Sequence, residues 1–150
     1  MKRKIGLMAI VIATFTLMVG CSLFRNAGDA GATAAGTACG KAMSTLYKEY
    51  KKLGKIDVTS TTTLTAVVQI AAARNLLIDN KNNTAYLTAF GVGLVSGSNN
   101  LINNSTASSF INTLLSLTSL TNVTTNTPST SSTANEAGKS LMPLIRTIAK

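Results

Sequence analysis

The chain contains no histidine and no tryptophan, and only five acidic side chains among its 150 residues. Cysteine and proline each occur twice. Each scarcity removes a class of chemistry. Without histidine, the commonest general base and the commonest zinc ligand are both missing. Two thiols cannot fill a structural zinc site, and five carboxylates leave little material for acid–base catalysis. What the chain does hold is aliphatic and uncharged-polar: 45% of residues are hydrophobic and only 13% are charged. From residue 21 onward, more than a third of the residues are Ser, Thr or Asn. At this length, one ordinary domain is expected.

The N-terminus departs from that composition. Lys2, Arg3 and Lys4 form a basic head, and Ile5 to Val19 is an uncharged run of about fifteen residues. That run is the length of an export-signal core and short of the roughly twenty residues that cross a bilayer as a stable helix. It ends in Leu17-Met18-Val19-Gly20-Cys21-Ser22, a small residue followed by cysteine. In this, the segment resembles the signals of bacterial lipoproteins, with Met18 standing where that class most often has Leu. The resemblance is confined to residues 1–21 and implies cleavage before Cys21, a diacylglycerol on its sulfur and an acyl group on its amine. It implies no other cofactor. Ser22, rather than Asp, after the cysteine resembles cargo of the outer membrane, and no acidic run follows it. The implied location is a bacterial cell envelope, lipid-anchored on the periplasmic face of the outer membrane.

Three of the fourteen basic residues lie in that head, so the mature chain carries eleven against five acidic ones, a formal charge of +6. The organisation expected is a signal over 1–20, a tether over 21–29 and a helical domain over 30–150. Ala35, Cys39, Ala42, Met43, Leu46, Tyr50 and Leu53 recur at helical spacing, with Asp29 as N-cap and Gly54 as the stop. A second apolar stripe runs from Leu64 to Ile78, a third from Thr84 to Val95, a fourth from Leu101 to Leu120 with Asn104 or Ser105 as cap, and a fifth from Glu136 to Ala149 around Pro143. The stretch 121–135, nearly all Thr, Ser and Asn, reads as a mobile loop, because it cannot bury enough apolar surface to offset its ordering entropy. A compact antiparallel bundle of about four to five helices uses every stripe.

Motifs that resemble nucleotide sites miss essential positions. Ala35 stands where a phosphate-binding loop needs its first glycine, and Ala42 where it needs Ser or Thr. Gly91-Val92-Gly93 lacks the third glycine of a dinucleotide fingerprint, and no Ser-x-x-Lys occurs. Cys39, on an apolar face, reads as a buried small hydrophobe. Gly36-x-x-x-Gly40 and Ala89-x-x-x-Gly93-x-x-x-Gly97 place small residues on single stripes, which either permits close helix approach or marks loose backbone. Basic charge is too sparse for nucleic acid, so none is expected as a partner.

One cluster remains as a contact surface. Lys48, Lys51, Lys52 and Lys55, with Lys41 behind them, fall near the end of the first helix. Lysines there are favoured by the helix dipole alone, and such a face also suits anionic lipid or another acidic envelope polymer. The expected role is a non-enzymatic, membrane-tethered binding or assembly module whose partner is an envelope protein or anionic surface. The alternative is a periplasmic carrier of an apolar ligand such as an acyl chain, with Ala71, Ala72, Ala73, Gly91 and Gly93 leaving the cavity.

Overall fold

The computed structural model describes residues 28–122 and 131–148. Five helices fill them: α1 (Gly28–Leu53), α2 (Thr61–Asp79), α3 (Thr84–Gly97), α4 (Asn104–Ser116) and α5 (Ser131–Ile148), with a short 3-10 turn (Thr118–Asn122) after α4. No strand occurs among the described residues. The fold is an all-α bundle whose core holds Met43, Leu46, Ile70, Leu77, Phe90, Leu94, Leu114, Leu141 and Ile145, all fully enclosed. Each such side chain contributes about 1.5–3 kcal/mol on burial.

The helix boundaries follow from local chemistry, and several differ from the periodicity reading. α1 starts at Gly28, so Asp29 lies inside the first turn rather than at the cap. It stops as expected: Gly54 adopts φ +70°, and its N–H donates to the Tyr50 carbonyl at 2.8 Å. α3 continues two residues past Val95, through Ser96 and Gly97. The fourth segment is not one helix from Leu101 to Leu120. Asn103 forms the cap, its side chain accepting from the Thr106 N–H at 2.9 Å while the Thr106 hydroxyl accepts from the Asn103 N–H at 3.2 Å. Neither Asn104 nor Ser105 does so. This reciprocal pair fixes the start after Leu101 and Ile102, and the chain tightens into the 3-10 turn after Ser116. α5 begins at Ser131, so the polar stretch placed at 121–135 is shortened at both ends by regular structure.

α2 is apolar on nearly all sides, and by length and composition it would suffice to cross a membrane. Half of that window is instead buried within the bundle. The low amphipathicity follows from its central position, with α1, α4, α5 and the 3-10 turn packed around it. α2 runs antiparallel to α1: Gln69 lies across from Thr37 and Lys41, and Thr61 and Thr65 across from Thr45.

The most extensive interface joins α1 to α3. Here the small-residue stripes face each other. A methyl group built on Gly36 would fall under 3.0 Å from the Phe90 carbonyl and the Leu94 N–H nitrogen, and one on Gly93 equally close to the backbone of Thr33 and Thr37. Gly40 abuts Leu94, Gly97 and Ser98, while Gly97 abuts Thr37. Contacts therefore advance together along both chains, so α1 and α3 run parallel with their backbones touching. Two glycines on each helix make this approach possible, which is the close-packing alternative for those stripes rather than loose backbone.

The turn after α3 is held by Ser98, fully buried, whose hydroxyl donates to the Val95 carbonyl at 3.0 Å and accepts from the Ile102 N–H at 3.1 Å. Asn99 and Asn100 both adopt positive φ, 57° and 67°, conformations that Asn tolerates better than most residues.

Candidate functional site

The C-terminal half of α1 turns one side to the core through Cys39, Met43 and Leu46 and the opposite side to solvent. Lys41, Lys48 and Lys52 share that outer side, at separations of seven and four residues, and all three are exposed. Lys51 sits about a quarter turn away, its ammonium 6.0 Å from the centre of the Tyr47 ring. Lys55 follows the Gly54 stop, so it projects from the connection rather than from the helix. Leu53, 46% exposed, stands among them. Of the residues expected here, the structure thus groups Lys48 with Lys52, sets Lys51 to one side and Lys55 beyond the helix end. Cys21 lies outside the described residues.

Acidic groups near this end are few. Glu49 is half-buried on the flank of the helix. The Asp57 carboxylate accepts from the Thr59 hydroxyl at 2.6 Å and the Thr59 N–H at 3.0 Å. Those two hydrogen bonds, aided by the charge of Lys55, hold its carboxyl below the usual range. Lys41, Lys48, Lys51 and Lys52 make no ion pair among the described residues.

Cys39 is fully buried among Ala, Met and Leu, and burial pushes its thiol up to about 12. A thiol so placed stays protonated and is a packing group, not a nucleophile. Among the described residues no three His, Cys, Asp or Glu side chains gather closely enough to hold a metal ion.

Arg74 was not legible as special. It is 4% exposed in the C-terminal half of α2, where its Nε and Nη2 donate to the Leu114 and Leu115 carbonyls at 3.1 and 3.0 Å. It thereby supplies donors to the open C-terminal end of α4, with burial lowering its guanidinium pKa. The signal was present: Arg74 falls at i+3 from Ala71 and i−4 from Ile78, inside the apolar stripe. Two other buried groups, the hydroxyls of Thr63 and Tyr86, have no hydrogen-bond partner among the described residues. Burial, then the charge of Asp79, raises the Tyr86 phenol.

Of the five small residues expected to leave a cavity, three are taken up by packing, while Ala72 and Gly91 are half-buried. Ala71 and Ala73 are enclosed, and Gly93 is filled by the Thr33 backbone. Clefts lie elsewhere. One, of about 270 Å³, opens between α4 and α5, with Ile102, Phe110 and Leu144 as its floor and Thr106, Ser109 and Thr147 at its rim. Another, shallow and about 600 Å³, follows the α1–α2 seam past Thr33, Thr37 and Gln69. Comparison with protein-family models, with characterised proteins and with solved structures gives no match.

Proposed function

We propose that the protein is a bacterial envelope lipoprotein, anchored by a diacylglycerol on Cys21 to the periplasmic face of the outer membrane, and that its helical domain is a non-enzymatic binding or assembly module. The observation that carries this reading is the register of a basic head, a fifteen-residue apolar run and the Gly20-Cys21 junction. The position of the bundle supports it. α1 begins at Gly28, seven residues after Cys21, so even a fully extended link holds the domain within about 25 Å of the acylated residue. A chain bearing two or more acyl groups stays on its membrane, so any partner must be reached from there.

The test is metabolic labelling with radiolabelled palmitate. The wild-type chain should take up label and Cys21→Ala should not; equal labelling of both ends the reading. The cleft between α4 and α5 favours a second role, carriage of an apolar ligand. Its volume lies just under the roughly 300–1,000 Å³ of typical ligand sites, so one small apolar group is the largest guest it suits. Native mass spectrometry of the purified chain distinguishes the roles: a co-purifying fatty acid or phospholipid favours the carrier, and its absence favours the module.

A further inference from the structure

The exposed lysines of α1 lie on one side of the helix. Continuing this side toward the start of the helix, Ala30 is exposed, but Ala34 and Ala38 are half-buried in the cleft along the α1–α2 seam; the exposed positions from Lys41 through Lys48 to Lys52 carry lysines. No acidic residue falls on that side; Glu49 is turned about a quarter turn or more from it and is half-buried. A 26-residue helix is about 39 Å long, which places Lys41 about 20 Å and Lys52 about 36 Å from Gly28 along its axis. The small-residue half adjoins the chain that leads back to Cys21, and the cationic half lies farther out.

We infer that the solvent-facing side of α1 lies along the anionic phospholipid headgroups of the leaflet that holds the anchor, with Lys41, Lys48 and Lys52 as its contacts. The inference rests on the lipoprotein reading for the tether, but the surface itself is a property of the bundle. Charge complementarity favours it: three exposed lysines that make no ion pair among the described residues line one straight edge. Geometry chooses lipid over a distant polymer. The link to the anchor is shorter than the helix, and a helix laid along the leaflet brings all three lysines to the headgroups together. Each lysine at an anionic surface strengthens association by about fivefold.

The experiment uses the full mature chain, purified from membranes and reconstituted in vesicles of phosphatidylcholine alone or with added phosphatidylglycerol. A water-soluble amine reagent is applied and each lysine is read by peptide mass spectrometry. With phosphatidylglycerol, Lys41, Lys48 and Lys52 should label several-fold more slowly than in neutral vesicles, while exposed Lys81 and Lys139 are unchanged; raising the salt should abolish the difference. In Lys48→Glu/Lys52→Glu, with an unchanged far-ultraviolet circular dichroism spectrum, protection of Lys41 should be lost. Equal labelling on the two vesicle types overturns the inference. Protection by soluble polyglutamate but not by phosphatidylglycerol also overturns it, assigning the surface to a polymer. The mass of the peptide containing Cys21, from the same digest, judges the anchor independently. If it lacks lipid, the lipoprotein reading fails, while protection or its absence on anionic vesicles still decides the surface.

Discussion

Replacing Gly93 with alanine should destabilise the protein, although the same change two residues earlier should stabilise it. Both glycines are interior to α3, where Gly costs about 1 kcal/mol relative to Ala. At Gly91 an added methyl meets nothing closer than the Ile111 Cδ1 at 3.8 Å, an ordinary contact, so Gly91→Ala should keep most of that gain. At Gly93 the methyl falls under 3.0 Å from backbone atoms of both Thr33 and Thr37, which have no rotamer to change. The helices must separate by about 1 Å, an overpacking strain of about 1–3 kcal/mol, with further loss as packing along the seam loosens. Net of propensity, Gly93→Ala should cost about 1–2 kcal/mol, and the two variants should differ by about 2–3 kcal/mol. With a urea m-value of about 1–2 kcal/mol/M for a domain of this size, their midpoints should lie about 1–3 M apart, on opposite sides of wild type. Gly36→Ala combined with Gly93→Ala should cost less than the sum of the single changes, because helices already separated for one methyl leave room for the second. Midpoints for Gly91→Ala and Gly93→Ala that shift together in one direction would refute the backbone contact between α1 and α3.

Arg74→Ala should cost about 3 kcal/mol or more by thermal or urea unfolding, since it empties a buried volume and strips donors from the α4 end. Arg74→Lys should recover only part of that, because one ammonium cannot reproduce the Nε and Nη2 fork. Cys39 should resist a thiol-specific disulfide reagent until denaturant unfolds the chain; rapid reaction in the native state would contradict its burial. The ordinary thiol value is 9.0 and the folded one about 12, so the folded state refuses an ionisation that the unfolded state accepts. The contribution of Cys39 is therefore fully present below pH 9 and lost as pH rises toward 12, and Cys39→Ala should lose less stability across that window than wild type. Asn100→Val should cost about 1–2 kcal/mol because its φ of 67° strains a β-branched residue, whereas Asn100→Gly should be close to neutral by the same unfolding assay.

Helix existence was legible in the sequence because apolar residues recur at three and four, and the stop at Gly54 because glycine alone enters that conformation freely. Boundaries were harder where polar residues compete to cap. Asn103, Asn104 and Ser105 all have suitable side chains, and only the partner threonine three residues after Asn103 decides among them. The end of α4 was missed for a different reason. Leu114, Leu115, Leu117 and Leu120 suggest one continuous stripe, but Leu120 is buried from the 3-10 turn, a geometry that apolar spacing does not separate from helix. The glycine stripes announced close approach without naming a partner, since each is complete on its own helix. The lysines were found by their clustering, yet sequence could not show that Lys51 leaves the common edge to lie over Tyr47. The role of Arg74 is not legible in the sequence, because its partners are about forty residues away and are backbone carbonyls, which carry no sequence signature.

The paired glycines of α1 and α3 also act as a register gauge. Sliding α3 by one turn toward the C-terminal end of α1 would set Ala89 where Gly93 now rests on Thr33, driving a Cβ into a carbonyl. A slide of one turn the other way would bring Leu101, beyond the end of α3, to the place of Gly97 against Thr37. Leucine-rich interfaces tolerate such slips by repacking; a seam of backbone against backbone offers nothing to repack, so neighbouring alignments are excluded by hard contact and the pair has one setting.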